Sequence, residues 1–124
     1  MLVNADLSEV AEEIPAGTYA ARMVDVEAKE SKAGNSYLNW KGEIFDHAEF
    51  NGRTFFHMTM LKGKGAFALR DLYTAATGEE LPKGSTSFDT EQILGQELRV
   101  VLADDFDDEG NKRSFPKVKS ITKL

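Results

Sequence analysis

The alternation of apolar and polar residues along the chain predicts five short β-strands and one helix. Strands are predicted at 18–29, 37–45, 53–61, 97–103 and 112–121. A helix is predicted at 66–76, because apolar residues recur there at helical spacing and Gly78 suits the position just past a helix end. The loop at 81–95 is expected to hold one helical turn near 90–94, and Pro116 places the last strand at a sheet edge.

The first strand changes its apolar face partway along. One face carries Tyr19, Ala21 and Met23, and the apolar series then continues one residue out of step, at Val24, Val26 and Ala28. A one-residue slip in a period of two indicates a β-bulge or a sharp bend. A long, bent first strand can serve both halves of a closed sheet. We therefore expect a mainly β fold, a five-stranded antiparallel OB-type barrel with one helix between strands three and four. A small open α+β sheet is the alternative.

Strands two and three each offer two faces. On strand two, the core face is predicted to carry Leu38, Trp40, Gly42 and Ile44, which leaves Tyr37, Asn39 and Lys41 outside. On strand three, the more apolar set is predicted to face the core: Thr54, Phe56, Met58 and Met60. The opposite set is then expected outside, beside the polar face of strand two: Arg53, Phe55, His57 and Thr59.

The N-terminal segment differs from the rest. Residues 1–16 carry apolar residues at helical spacing, and Pro15 and Gly17 mark their end. We expect a single domain over 1–124, with 1–16 as an acidic N-terminal arm. The first residues lack the basic start and apolar core of a signal peptide, and no apolar run approaches the ~20 residues of a membrane span. A cytoplasmic protein without membrane contact is expected.

Composition and charge narrow the function classes. The chain has 124 residues, the size of one domain, and no cysteine, which excludes disulfides and thiolate chemistry. The net charge of −6 argues, taken whole, against a nucleic-acid binder. However, residues 1–16 carry −4 and residues 103–109 carry −5, so the other 101 residues carry +3. A mildly basic body with two acidic segments is expected.

Enzyme signatures are weak throughout. The basic loop at 62–65 lacks the glycine spacing and the Ser or Thr of a P-loop. Two histidines, His47 and His57, cannot supply all the ligands of a zinc site without carboxylates from elsewhere. Residues 105–110 begin like an EF-hand loop, but its twelfth position is Pro116, and a solvated hairpin tip is the preferred interpretation. We expect no catalysis, no cofactor and no metal.

One surface carries a chemical pattern. The predicted outer face of strands two and three alternates aromatic, amide and basic groups: Tyr37, Asn39, Lys41, Arg53, Phe55 and His57. Further cations stand at its rim: Lys32, Lys62, Lys64 and Arg113. Single-stranded nucleic acid needs such a surface, because bases stack on rings at ~1–3 kcal/mol each while cations follow the phosphates. These ten residues are the predicted binding site.

Several short motifs also resemble a known family. They are Ile14-Pro15-Ala16-Gly17-Thr18-Tyr19, Val24-Asp25-Val26-Glu27, Ser31-Lys32-Ala33-Gly34-Asn35, Asn51-Gly52-Arg53 and the stretch from Ile93 to Val101. In this order they are similar to small phage-encoded single-stranded-DNA-binding proteins, many long catalogued only as a domain of unknown function. The resemblance implies an OB fold that coats single-stranded DNA during phage replication or recombination, in the host cytoplasm and without catalysis. Lys32 and Arg53 occupy the family's basic turn and strand-three start.

The resemblance has one departure, and two other function classes stay open. Single-strand binders of phages and bacteria often end in an acidic tail that recruits replication or recombination proteins, whereas residues 118–124 are basic. Recruitment could instead use the acidic segments.

One alternative is an OB-like protein-interaction module or inhibitor acting through its acidic surface. The other is a metal-dependent nuclease or nucleotide-processing enzyme using clustered carboxylates. Both DNA and RNA are compatible with the sequence as ligands, and so are a monomer and a homo-oligomer.

Overall fold

The fold was analysed in a computed structural model that describes residues 1–4, 14–81, 84, 87–113 and 115–124. The acidic N-terminal arm expected at 1–16 lies largely outside these residues. The elements are β1 (Gly17–Glu30), β2 (Ser36–Ile44), β3 (Thr54–Met60), α1 (Ala66–Thr77), a 3₁₀ turn (Thr90–Gln92), β4 (Glu97–Ala103) and β5 (Lys117–Lys123). The number, type and order of the predicted elements are confirmed. None of the helices in the described ranges has the length and apolar character needed to cross a membrane.

The five strands form one antiparallel sheet in the order β3-β2-β1-β4-β5. β1 is its centre: the first part, Gly17–Arg22, pairs with β4, and the part from Ala21 to Glu30 pairs with β2. The mainly β, five-stranded antiparallel architecture with one helix is therefore confirmed. The sheet is not closed into a barrel, although its two edges, β3 and β5, approach each other.

A register shift interrupts β1 between Met23 and Asp25, where it pairs with β2. The side chain of Val24 is exposed at this point, whereas Met23 before it is fully buried and Val26 after it packs against the core. The slip in the apolar pattern thus marks a real bulge. Bulges bend a strand and increase its twist, which lets one long strand serve two parts of the sheet.

Helix α1 covers the core side of the sheet and packs against β5 and β3. It buries Leu69, Leu72, Tyr73 and Ala75, close to the predicted helical stripe. Gly78 ends the helix in the left-handed conformation (φ 78°), and its N–H donates to the carbonyl of Thr74, as expected for a glycine at this position. The sheet contributes alternating residues to the same core, among them Leu98, Val100 and Leu102.

The face assignment of β3 is the main error of the sequence-based prediction. Phe55 and Thr59, expected outside, are fully buried, with 0% exposure each. Phe56 and Met58, expected in the core, are 39% and 56% exposed. On β2 the assignment is confirmed, since Trp40 and Ile44 are fully buried. The buried and the exposed face of β3 are therefore exchanged relative to the prediction.

Two contacts with β2 explain this exchange of faces. Gly42 lies directly opposite Phe55, and a Cβ atom on residue 42 would overlap the Phe55 ring. The ring thus fills the space that glycine leaves in the core. In the same sheet region the indole Nε1–H of Trp40 donates a buried 2.9 Å hydrogen bond to Oγ1 of Thr59. A polar residue is accommodated inside because both partners of this bond are satisfied.

The last strand begins later than predicted. Residue 112 forms only an isolated bridge with Phe106, and the continuous strand β5 starts at Lys117. Pro116 has no N–H to donate to a ladder, so regular pairing with β4 begins after it. β5 is an edge strand, as predicted.

We expect Phe55→Ala to lower the free energy of unfolding by ~3–5 kcal/mol, because it removes a fully buried ring and leaves a cavity opposite Gly42. Phe56→Ala, at the neighbouring exposed position, should cost clearly less. Urea denaturation of both variants measures this difference. A larger loss for Phe56→Ala would contradict the orientation of β3.

Candidate nucleic-acid interface

The exposed side of β2 and β3 carries the candidate site. Three cross-strand pairs define it: Tyr37 opposite Met60, Asn39 opposite Met58, and Lys41 opposite Phe56. Side chains at such positions stand roughly 5 Å apart, so each pair forms one row of a continuous surface. The β2 half of this surface is the predicted one, and the β3 half is the set of residues that was expected in the core.

Two adjoining depressions of about 400 and 770 Å³ lie along this surface and share Asn39 and Phe56. We call them together the platform groove. Its walls come from β1, β2, β3, the β4–β5 connection and the start of β5. The lining residues are Asp25, Val26, Glu27, Lys29, Asn39, Lys41, Phe56, His57, Met58, Asp105, Lys112, Arg113, Phe115, Pro116, Lys117 and Val118.

Aromatic and thioether side chains lie exposed in the platform groove. The rings of Phe56 and Phe115 meet edge to face, with 5.3 Å between their centroids. Phe115 is 46% exposed and reaches the groove from the β4–β5 connection, next to the exposed Met58 of β3. Exposed apolar side chains grouped in a groove mark binding surfaces more often than scattered ones do. Flat rings that remain accessible can receive a planar ligand.

The platform groove is basic although the chain is acidic. Five of its lining residues are cations (Lys29, Lys41, Lys112, Arg113 and Lys117), and three are carboxylates (Asp25, Glu27 and Asp105). Five positive and three negative charges give +2, against −6 for the whole chain. The side chains that line the groove therefore carry a positive balance of charge, which suits an anionic ligand.

The β4–β5 connection forms an ordered hairpin at one side of the groove. At its base, Asp104 Oδ1 lies 3.5 Å from Lys112 Nζ, and Asp105 Oδ2 lies 3.5 Å from Arg113 Nε. The backbone N–H of Arg113 also donates a 2.7 Å hydrogen bond to the carbonyl of Asp105. We call residues 104–113 the acidic hairpin.

Asp107 organises the tip of the acidic hairpin. Its Oδ1 accepts hydrogen bonds from the backbone N–H groups of Asn111, at 2.9 Å, and Glu109, at 3.0 Å. The bond from Asn111, supported by that from Glu109, holds the pKa of the Asp107 carboxyl below its usual value. The predicted turn is thus confirmed. In the part of the chain that the structure describes, no three His, Asp or Glu side chains are grouped to hold a metal ion.

The structure brings four of the ten predicted site residues into the platform groove: Asn39, Lys41, His57 and Arg113. Tyr37 is half-buried on the same face, one row beyond the lining. Phe55 is buried beneath this face, so its predicted exposure is wrong, for the packing reason given above.

The remaining predicted cations lie outside the groove lining. Lys62 and Lys64 are exposed in the β3–α1 loop, and Lys32 is exposed in the β1–β2 turn. These two connections follow the same end of the surface, where the N–H of Leu61 donates to the carbonyl of Ser36. Arg53 is half-buried before β3.

Sequence-based reasoning missed Phe56, Met58, Phe115 and Lys112 as groove residues. The first two were assigned to the core because they form the more apolar parity of β3. The only signal for the opposite assignment was Gly42, whose missing side chain favours a large ring on the partner strand. Lys112 and Phe115 were placed on the strand predicted at 112–121, but the regular strand begins only at Lys117, so strand alternation does not say where their side chains lie.

His57 lies between the core and the platform groove. It stands opposite Trp40, on the inner side of β3, and it is also one of the residues that line the groove. Burial of the imidazole lowers the pKa of His57 from 6.5 to about 4, because desolvation disfavours the charged form. At neutral pH the ring is therefore uncharged, and it can meet a ligand as a neutral hydrogen-bonding group rather than as a cation.

This lowered pKa predicts a pH dependence of stability. Between pH 6.5 and about 4 the unfolded chain binds a proton at residue 57 that the folded chain excludes, so stability falls as the pH falls. The loss should total about 3 kcal/mol. Urea denaturation at a series of pH values measures it, and His57→Gln should flatten the wild-type curve in this window. Parallel curves for the two proteins would contradict the burial of the imidazole.

Comparison with known proteins gives a family for the chain. No match to a curated protein was found. Residues 2–124 match the family model described as Protein of unknown function (DUF669), which covers the groove and nearly the whole chain. The chain therefore belongs to the DUF669 family.

Proposed function

We propose that this protein binds single-stranded DNA, with little sequence preference, in the platform groove. The observation that carries the proposal is the exposed aromatic pair Phe56 and Phe115 in a groove of net positive charge. Rings supply stacking to any base, and cations supply attraction to any phosphate. This combination suits a strand whose bases are unpaired.

We further propose that the sheet is of OB type. The strand order and the central, bulged β1 agree with an OB barrel opened between strands three and five. The helix between β3 and β4 agrees as well. In OB folds, which are often partly open, the face of strands two and three and the loops after strands one and four bind oligonucleotides. The platform groove and the acidic hairpin occupy these places.

Stacking is the first part of the proposed mechanism. Phe56 and Phe115 pack edge to face and both remain exposed, and a base that stacks on either ring gains about 1–3 kcal/mol. The thioether of Met58 adds a polarisable surface beside them. Since every base has a flat face, this contribution depends little on sequence.

Charge neutralisation is the second part. Lys41 is exposed on β2 and Lys117 at the start of β5, and both line the groove. Asn39 stands between the two depressions and offers an amide to a base edge or a phosphate. The DNA strand would run along β2 and β3, with Lys32, Lys62 and Lys64 at the far end of the same protein surface.

The biological setting follows from the resemblance described above. We propose that the protein coats single-stranded DNA during phage replication or recombination, in the host cytoplasm and without catalysis. Its acidic segments would contact replication or recombination proteins.

Binding can be tested with a labelled oligo-dT in a fluorescence anisotropy titration at low salt. We expect saturable binding, and a loss of about 5- to 150-fold in affinity for Phe56→Ala, equivalent to ~1–3 kcal/mol. Phe115→Ala should act in the same direction. The matched control is Phe67→Ala, since Phe67 is also an exposed phenylalanine, at 55% against 39% for Phe56, but lies on α1 outside the groove lining. It should bind like wild type.

The other function classes predict different outcomes. If wild type fails to bind oligo-dT at low salt, the proposal is wrong and a protein-interaction module becomes the better hypothesis. If the DNA is consumed and a chelator stops this, the protein is a metal-dependent enzyme. An equal effect of the Phe67 and Phe56 variants would show that the groove is not the site.

Salt dependence tests the cationic part of the groove. The logarithm of affinity should fall linearly with the logarithm of salt concentration, by about 0.7 per phosphate neutralised. Lys41→Gln should weaken binding to all base sequences alike and reduce this slope by less than one unit. Lys119→Gln, at an exposed position of β5 outside the groove lining, is the control. A loss that differs between base sequences would instead reveal base recognition by Lys41.

A further inference from the structure

Three cations of the platform groove have a carboxylate neighbour in the protein itself: Lys29 lies 3.5 Å from Glu27 on β1, and the other two pairs lie at the acidic hairpin. Arg113 and Lys112 each lie 3.5 Å from a carboxylate at the base of the acidic hairpin, Asp105 and Asp104 respectively. Asp105, Lys112 and Arg113 all line the depression that contains Phe56 and Phe115. A phosphate entering this depression would meet cations that carboxylates already neutralise in part.

The hairpin holds these carboxylates in place. The hydrogen bond from Arg113 N–H to the Asp105 carbonyl and the bridge between Phe106 and Lys112 align the two chain segments at its base. At the tip, the Asp107 carboxylate accepts two backbone N–H groups and closes the turn. The pairing therefore follows from the backbone geometry of the hairpin.

The ion pairs are weak enough to be exchanged. Their side chains are about one third to one half exposed, and pairs of this kind contribute only about 0–1 kcal/mol. A nucleic-acid strand presents a phosphate at every nucleotide, so it can replace both carboxylates at once. A phosphate also accepts charge-assisted hydrogen bonds from arginine with good geometry.

We propose that Asp105 and Asp104 are internal competitors for the phosphate-binding cations Arg113 and Lys112, and thereby set the affinity of the groove. This inference rests on the proposed binding of single-stranded DNA. Binding exchanges each carboxylate–cation pair for a phosphate–cation pair. The protein consequently gives up two internal ion pairs for each strand that it binds at this end of the groove, which keeps the complex reversible.

The exchange differs from a general repulsion by acidic residues. A general effect would depend only on the number of charges near the groove, so any carboxylate of the hairpin would contribute alike. Competition acts only through carboxylates that pair with groove cations. Asp108 provides the comparison, because it lies exposed at the tip of the same hairpin and carries the same charge as Asp105.

The experiment compares oligo-dT binding by Asp105→Asn, Asp104→Asn and Asp108→Asn at about 50 mM salt. Each variant removes one negative charge and preserves side-chain size. We expect Asp105→Asn and Asp104→Asn to bind about two- to fivefold more tightly than wild type, the range that an exposed ion pair provides. Asp108→Asn should change affinity clearly less. The gains should shrink as salt rises past about 0.15 M, where the Debye length is ~8 Å.

A double-mutant cycle isolates the pair. If Asp105 acts through Arg113, Asp105→Asn should give no further gain in an Arg113→Gln background. Urea denaturation of every variant confirms that the fold is retained, and Asp104→Asn carries the test if Asp105→Asn fails to fold. Equal gains for Asp105→Asn and Asp108→Asn, or a gain that persists without Arg113, would overturn the competition. Absence of oligo-dT binding by wild type and all variants would overturn the proposed function itself.

Discussion

The match between Gly42 and Phe55 is the constraint on which the surface of this protein depends. A glycine on the core face of β2 leaves a gap, and the ring of Phe55 on β3 occupies it. The hydrogen bond from Trp40 to Thr59 reinforces the same orientation two positions along the sheet. Both contacts favour one rotation of β3, because the other rotation would bury neither partner well.

This orientation determines what the outer surface contains. When Phe55 turns inward, its neighbour Phe56 must turn outward, since successive side chains of a strand alternate. Phe56 then meets Phe115 and lies beside Asn39 and Lys41. The packing of the core and the composition of the groove are therefore two consequences of one register.

Positive and negative side chains are unevenly distributed over the molecule, and the net charge does not show this. The platform groove is basic, whereas the acidic hairpin at its side concentrates carboxylates in a short segment. The hairpin is an ordered element, since Asp107 closes its tip through backbone hydrogen bonds. Two of these carboxylates form ion pairs with cations of the groove or beside it, a local arrangement that the total of −6 does not show.

The sequence alone determined the elements, their order, the bulge in β1 and the inner face of β2. These features follow from local periodicity and from turn residues, as the glycine after α1 illustrates. It also indicated Asn39, Lys41 and Arg113 as members of one surface, which the structure brings together. Only the tertiary structure decided which face of β3 is buried, because Phe55 and Phe56 are the same residue type and only their partner strand distinguishes them. It likewise placed Phe115 beside Phe56, since Phe115 precedes the regular part of β5 and no periodic pattern links it to β3.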